Sequence, residues 1–238
     1  MIRGYIDWDR WGRKPKSVST LDLAILSNLA NYSTEEINQM LIDAFPIRSP
    51  LRQNSFIHDN TLGVDYCIFP IDDDHALVSF AGTKSFLNID ALTDLNLFLG
   101  AIPFVGQAAI ANALVKDLPY QSLIITGYSL GGYLGSDVRL SQKDKVVECI
   151  TFNAPGRGLL NTGGQIFGPK DTRITNYSAI GDQVSRAGVQ PGNVISVVIA
   201  ADAESWAVFG KHDIQYIIDA LILAKAGSPG GASHGDSW

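Results

Sequence analysis

Short apolar runs alternate with stretches of helical periodicity through the C-terminal half of the chain, and no other feature constrains the fold as strongly. The predicted strands are 122–126, 146–152, 173–180 and 194–200, and the predicted helices are 105–116, one from Leu130 onward, and 213–226. Buried strands that are separated by helices form a largely parallel sheet covered on both faces. The pattern therefore predicts an α/β fold with a mostly parallel central sheet and helices on both faces.

The residues before this alternation predict two helices and a hairpin. Apolar side chains recur at helical spacing over 19–44, and Ser33-Thr34-Glu35-Glu36 supplies a cap and an acidic first turn for the second helix. The β-rich runs 64–71 and 76–80 flank Asp72-Asp73-Asp74-His75 and predict an antiparallel hairpin. These acids have no spaced glutamate or glycine partner, so a solvated turn is favoured over a cation site.

Composition divides the 238 residues into three predicted parts. Residues 1–18 interleave basic and aromatic side chains, which indicates an arm laid on the domain or, alternatively, a membrane-surface or export segment. Residues 19–226 form the predicted α/β domain. Residues 227–238 are rich in glycine and serine, and they predict a flexible tail because they cannot bury enough surface to become ordered.

Charge and cysteine content narrow the classes of function. A net charge of −6 without a basic face argues against a nucleic-acid partner. Cys67 and Cys149 lie in apolar runs and are interpreted as buried free thiols, with a single disulfide as the alternative. We recognise no cofactor motif and no metal cluster. The first residues lack the features of a secretory signal, so we expect a cytoplasmic protein or one exported without a cleavable signal.

A glycine-flanked serine lies at the turn from a buried strand into a helix. In Gly127-Tyr128-Ser129-Leu130-Gly131, the strand must reverse into the helix within a single residue, which forces unusual backbone dihedrals on Ser129. The glycines give room for the turn and let the helix approach the strand. A glycine-rich turn without chemistry, such as a phosphate cradle, is the alternative, but no lysine follows at the required offset. Ser129 is therefore a candidate nucleophile.

A serine nucleophile needs a base to take its proton and an acid to orient that base. At a turn of this kind the order along the chain is serine, acid, histidine. His212 and His234 follow Ser129, and His234 lies in the predicted tail, so His212 is the candidate base. Asp182 follows its strand at the carboxyl end, where such sites assemble, and is the candidate acid; Asp202 is its rival.

Taken together, these motifs resemble those of the class 3 lipases, from about Ala76 to His212. The matching segments are Val78-Ser79-Phe80-Ala81-Gly82-Thr83, similar to a strand ending in F-R-G-T/S; Gly127-Tyr128-Ser129-Leu130-Gly131-Gly132, similar to G-H-S-L-G-G; Thr151-Phe152-Asn153-Ala154-Pro155, similar to T-F-G-x-P; and Gly181-Asp182-Gln183-Val184, similar to the D-x-V stretch. Ala81 replaces an arginine of the family pattern, and Tyr128 replaces a histidine.

The resemblance implies an α/β-hydrolase fold and a serine-dependent hydrolase of carboxylic esters. The expected substrate is a phospholipid or an acylglycerol, cleaved through a Ser129-Asp182-His212 triad and an acyl-enzyme, with transient membrane-surface contact. Thr83 and the backbone N–H of Leu130 are the implied oxyanion donors, and no cofactor or metal is expected. We expect Tyr128 to point away from the chemistry, so that its replacement of histidine alters only packing.

Several interpretations stay open at this point. The stretch 84–105, apolar over 95–105, predicts either a buried helix with a linker or the wall or lid of an acyl-chain pocket. An acyltransferase would use the same triad with another acceptor. A non-catalytic binding module with this fold, or an exported effector, is a different class of function.

Overall fold

Seven strands form one sheet in the part of the chain that the computed structural model describes, which is residues 18–45, 49, 51, 55–82, 103–157, 170–199 and 210–226. In spatial and chain order they are β1 (Ile57–Thr61), β2 (Val64–Pro70), β3 (His75–Phe80), β4 (Ser122–Tyr128), β5 (Val146–Phe152), β6 (Ile174–Ala179) and β7 (Asn193–Val197). The β1–β2 and β2–β3 pairs are antiparallel, and every pair from β3 to β7 is parallel. The predicted mostly parallel sheet and its hairpin are confirmed.

Helices cover both faces of this sheet, as predicted. They are α1 (Thr20–Leu29), α2 (Thr34–Ala44), α3 (Pro103–Asp117), α4 (Leu130–Ser141) and α5 (Ile214–Ala226). One apolar core joins the sheet to α1, α2 and α5, and a second joins it to α3 and α4. Successive side chains of β4 alternate between them: Ile124 packs in the first core, and Leu123 and Ile125 pack in the second. A strand buried on both faces requires this continuous apolar run.

Capping boxes start the first two helices. The Ser19 hydroxyl accepts the N–H of Asp22 at 3.2 Å, and the Asp22 carboxylate accepts the N–H of Ser19 at 2.7 Å. Ser33 and Glu36 make the same exchange at 3.3 and 2.8 Å. Each box satisfies two N–H groups that the first helical turn leaves without an intrahelical acceptor. The second helix is capped at Ser33, as the sequence predicted.

The polar turn between β2 and β3 is built around Asp72. Its carboxylate accepts the N–H groups of Asp74 and His75, both at 2.9 Å, and contacts the His75 imidazole at 2.6 Å. A carboxylate that bonds the following backbone in this way stabilises a turn. The turn interpretation therefore explains Asp72 by contacts inside the segment, while Asp74 accepts a hydrogen bond from the Gln121 side chain at 2.7 Å.

The edge strand β1 was not predicted from the sequence. Its residues are mostly polar and exposed, so neither periodicity nor burial distinguishes them from a loop. β1 forms because Leu62 and Gly63, with φ of 51° and 84°, turn the chain back onto β2. Two consecutive residues with positive φ match the twist of a tight hairpin.

Several predictions concern residues outside the described ranges. These are the arm over 1–17, the tail over 227–238, most of the stretch 84–105, and the individual residues Thr83, Asp202 and His234. Cys67 and Cys149 are buried free thiols in the two different cores, as one of the two interpretations expected. Within the described ranges, no helix has both the length and the apolar character that crossing a membrane requires.

Candidate active site

Three parallel strands bring their carboxyl ends to one edge of the sheet. β4 is followed by Ser129, β5 by Asn153 and, after a short turn, β6 by Asp182. Three non-glycine residues in the described ranges have positive φ, and Ser129 and Asn153 are two of them, at 57° and 45°. Such strain persists only where the surrounding structure enforces it, and it clusters at functional sites.

Ser129 occupies the predicted strand-to-helix turn. Its φ of 57° and ψ of −125° reverse the chain between β4 and α4 in one residue. Its N–H donates to the carbonyl of Phe152 at 3.0 Å, and its carbonyl accepts the N–H of Gly132 at 3.0 Å. The side chain makes no capping bond to α4. Its hydroxyl is consequently directed away from the helix that it precedes.

Two glycines of the motif are required by the close approach of backbone to backbone. A Cβ on Gly131 would lie 2.0 Å from the carbonyl oxygen of Phe80, at the end of β3. A Cβ on Gly127 would lie 2.4 Å from the carbonyl carbon of Gly131. Neither contact can be relieved by rotating a side chain. The glycines thus hold the start of α4 against β3 and β4, which fixes the position of Ser129.

Ser129, His212 and Asp182 form one hydrogen-bonded line. His212 Nε2 lies 2.8 Å from Ser129 Oγ, and His212 Nδ1 lies 3.1 Å from an Asp182 carboxylate oxygen. With the carboxylate at Nδ1, that nitrogen carries the proton and donates it, which leaves Nε2 to accept the serine O–H. All three residues are almost completely buried, so water does not compete for these bonds.

Asp182 is held by the backbone of its own loop. Its two carboxylate oxygens accept the N–H groups of Val184 at 3.1 Å and Ser185 at 3.0 Å. Gly181, at φ 93°, makes the turn that brings the carboxylate back under the sheet edge. A carboxylate fixed from both sides can orient the imidazole without moving itself. His212 ends a single 3₁₀ turn, Gly210–His212, and α5 begins two residues later at Ile214.

The two predicted oxyanion donors differ in what the structure describes. Leu130 is the first residue of α4, so its N–H has no acceptor within the helix and belongs to the positive end of the helix dipole. Thr83 lies outside the described residues. Its neighbour Gly82 is described, and a Cβ placed there would be 3.4 Å from the Cβ of Ser129. The chain therefore passes directly beside the nucleophile one residue before Thr83.

Tyr128 does not point away from the chemistry, contrary to the expectation from the sequence. Its hydroxyl donates to the backbone carbonyl of His212 at 2.8 Å, and its ring centroid lies 5.0 Å from that of the imidazole. Asn153, which was not singled out from the sequence, donates to the same carbonyl at 2.9 Å. Tyr128 stands at the histidine of G-H-S-L-G-G, and Asn153 stands at the glycine of T-F-G-x-P. These two departures from the family motifs are the sequence signal that could have identified both residues.

Asp137 and Asp171, which are not part of this hydrogen-bonded line, pair with arginines. Asp137 pairs with Arg157, and Asp171 pairs with Arg139 at 3.0 Å.

No group of three or more His, Cys, Asp or Glu side chains that could hold a metal ion occurs in the described part of the chain. Burial raises the pKa of Cys149 to about 12, so this thiol is not poised as a nucleophile.

Several solved lipase structures are similar to this chain at low sequence identity. No family model matches the chain, and no curated protein does. M37 lipase is 14% identical with a TM-score of 0.49, over 71% of this chain and 70% of that one. Lip2 lipase from Yarrowia lipolytica is 13% identical with a TM-score of 0.46, over 82% and 81%. Rhizomucor miehei lipase, in its propeptide complex, is 14% identical with a TM-score of 0.46, over 92% and 81%.

At these identities and scores, the similarities do not bear on what the chain does.

Proposed function

We propose that this chain hydrolyses carboxylic esters with Ser129 as the nucleophile. The observation that carries the proposal is the buried line from Ser129 Oγ through the His212 imidazole to the Asp182 carboxylate, at 2.8 and 3.1 Å. A strained serine at a helix N-terminus, a base within hydrogen-bond distance and an acid behind that base are the parts that acyl transfer requires.

The reaction proceeds in two steps. Ser129 Oγ attacks the ester carbonyl while His212 Nε2 takes the hydroxyl proton, and Asp182 stabilises the imidazolium. The N–H of Leu130 and, by resemblance, Thr83 donate to the oxyanion. When the C–O bond to the alcohol breaks, His212 returns the proton to the departing oxygen. Water then attacks the acyl-enzyme, losing its proton to His212, and the proton returns to Ser129 Oγ as the carboxylic acid leaves.

The substrate that we favour is a lipid ester, either a phospholipid or an acylglycerol. This preference rests on the resemblance of the motifs to those of class 3 lipases, and transient contact with a membrane surface belongs to the same proposal. An acyltransferase is the second candidate, because the acyl-enzyme can be attacked by an alcohol as well as by water. The assembled triad disfavours a non-catalytic module, which would have no need of a strained serine within reach of a base.

Covalent labelling tests the nucleophile without knowledge of the substrate. A fluorophosphonate probe should label the wild-type chain at Ser129 and leave Ser129→Ala unlabelled. Ester turnover in Ser129→Ala should fall by about 10⁶-fold, because the nucleophile is lost. Ser141→Ala is the matched control, since Ser141 is exposed at the far end of α4. Labelling or near-normal turnover that survives in Ser129→Ala would refute the proposal.

A substrate panel separates the candidate activities. Phospholipids, triacylglycerols and p-nitrophenyl esters of graded chain length should be presented to the wild-type and Ser129→Ala proteins. Preference for long-chain lipid esters supports the lipid assignment, and turnover restricted to short esters contradicts it. Adding an alcohol acceptor distinguishes transfer from hydrolysis, because an acyltransferase would form a new ester in preference to the free acid.

A further inference from the structure

One backbone carbonyl, that of His212, receives two side-chain hydrogen bonds from different strands. The hydroxyl of Tyr128, at the end of β4, donates to it at 2.8 Å. The amide nitrogen of Asn153, directly after β5, donates to it at 2.9 Å. These donors are 84 and 59 residues away from His212 in the chain. Nothing in the catalytic cycle described above uses either side chain.

The chemical identity of both donors is fixed by their surroundings. The side-chain oxygen of Asn153 accepts the N–H of Ala179 at 2.8 Å, so its amide nitrogen must face His212. Burial, together with the nearby carboxylates of Asp213 and Asp182, raises the pKa of Tyr128 above its usual value. Its hydroxyl therefore keeps its proton at neutral pH and is able to donate it.

The two bonds connect the base to the elements that carry the other triad members. Tyr128 immediately precedes Ser129, so its bond ties the base to the nucleophile. Asn153 bridges His212 to Ala179, the last residue of β6, which lies three residues before Asp182. Asn153 has a φ of 45°, and its side chain bonds both His212 and Ala179. The His212 carbonyl is thus bonded directly to Tyr128 and Asn153, and through Asn153 it is linked to β6.

We propose that Tyr128 and Asn153 are positioning residues that hold the backbone of His212, so that its imidazole spans Ser129 and Asp182. This inference rests on the proposed function of the triad. The 3₁₀ turn that carries His212 is a single turn, and the two bonds attach it to the ends of β4 and β5. A catalytic group displaced by about 1 Å can lose about 100-fold in rate, so anchors of the base act on the chemical step.

Removing one hydroxyl tests the role of Tyr128. Tyr128→Phe keeps the ring beside the imidazole and deletes only the bond to the carbonyl. We expect the fluorophosphonate labelling rate of Ser129 and the kcat of ester hydrolysis to fall about tenfold, with KM little changed. Tyr66→Phe is the matched control, because the Tyr66 hydroxyl on β2 bonds Asp59 away from the site. A labelling rate in Tyr128→Phe equal to that of the control would overturn the proposal.

A second substitution tests Asn153 in the same way. Asn153→Asp keeps an acceptor for Ala179 and tolerates positive φ, but it turns an oxygen toward the His212 carbonyl in place of a donor. We expect a larger loss of labelling rate than in Tyr128→Phe, because a donor is replaced by a repelling oxygen. Thermal unfolding of each variant establishes that the compared proteins are folded.

Combining Tyr128→Phe with His212→Ala distinguishes positioning from general structural support. If Tyr128 acts through the imidazole, Tyr128→Phe should not lower the residual activity of His212→Ala any further. If the hydroxyl instead supports the whole turn around Ser129, the residual activity falls again and the proposal is wrong. This comparison is informative because a merely structural role would affect both backgrounds.

Proton NMR keeps the inference testable apart from activity. The Nδ1–H of His212, bonded to Asp182, should exchange with solvent faster in Tyr128→Phe than in the wild-type and Tyr66→Phe proteins. If the wild-type chain is not labelled at Ser129, the proposed function fails, and this exchange rate alone decides whether the two residues position His212. Unchanged exchange in Tyr128→Phe then overturns the inference.

Discussion

A methyl group added at Gly131 provides a quantitative test of the turn that holds Ser129. In Gly131→Ala, the new Cβ would lie 2.0 Å from the carbonyl oxygen of Phe80, 2.7 Å from its carbonyl carbon and 2.8 Å from the carbonyl oxygen of Ala81. Real Cβ contacts essentially never fall below 3.0 Å. Because every contacted atom is backbone, either the start of α4 or the end of β3 must move by about 1 Å.

That movement affects both stability and chemistry. Overpacking of this kind costs about 1–3 kcal/mol, which lowers Tm by roughly 2–12 °C for a chain of this size. The displaced segments are those that carry Leu130 and lead into Gly82, on either side of the nucleophile. A displacement of about 1 Å of the oxyanion donors and the nucleophile should reduce kcat by about 100-fold. Circular dichroism melting and fluorophosphonate labelling measure the two effects separately.

Gly106→Ala is the matched control for this substitution. Gly106 lies in α3, is exposed, and has no atom within 4 Å of the position that a Cβ would take. Alanine stabilises a helix by up to about 1 kcal/mol relative to glycine, so Tm should rise by about 2–4 °C with labelling unchanged. If Gly131→Ala melted and reacted like the wild-type chain, the close packing of α4 on β3 would be refuted.

Two further predictions concern the acid and the thiols. Asp182→Asn should lower kcat by about 10⁴-fold, because an amide cannot stabilise the imidazolium. Asp144→Asn, at an exposed turn, is the control and should leave kcat unchanged. Equal kcat values in the two variants would contradict the assignment of Asp182 as the acid. Cys67 and Cys149 should resist dithionitrobenzoate until the chain unfolds, because burial raises the pKa of each to about 12. Thiols of the unfolded chain ionise near pH 8.5, so the free energy of unfolding should fall as pH rises from about 9 toward 12. Rapid reaction of the folded chain with dithionitrobenzoate would contradict the burial of the thiols.

The fold was predictable because its strongest local signals agree with its long-range packing. Leu123, Ile124 and Ile125 are apolar in succession, and the two faces of the sheet take them alternately. The capping residues at Ser19 and Ser33 act within four residues, so they too can be recognised locally. The edge strand Ile57–Thr61 lacks such a signal, since its pairing with β2 stabilises residues that carry no apolar pattern.

The sequence nominated Ser129, Asp182 and His212 because in such a fold the acid and then the base follow the nucleophile along the chain, and the structure brings these three side chains together. The anchors of His212 were not predictable. Whether Tyr128 points toward or away from the imidazole depends on the position of a turn 84 residues later. The expectation from the resemblance was that Tyr128, at such a turn, points away from the chemistry. A tyrosine side chain is longer, and its hydroxyl extends to the His212 carbonyl.

Two of the three departures from the family motifs, at Tyr128 and Asn153, therefore have a common physical explanation; Ala81 is the third. The glycine that the motif has at position 153 carries no side chain that could donate, whereas Asn153 and Tyr128 both donate to the His212 carbonyl. Positions 128 and 153 are unrelated in sequence, but parallel pairing of β4 with β5 places them next to each other at one sheet edge. A change at either position thus acts on the same atom, and the two residues must be considered as one unit of the site.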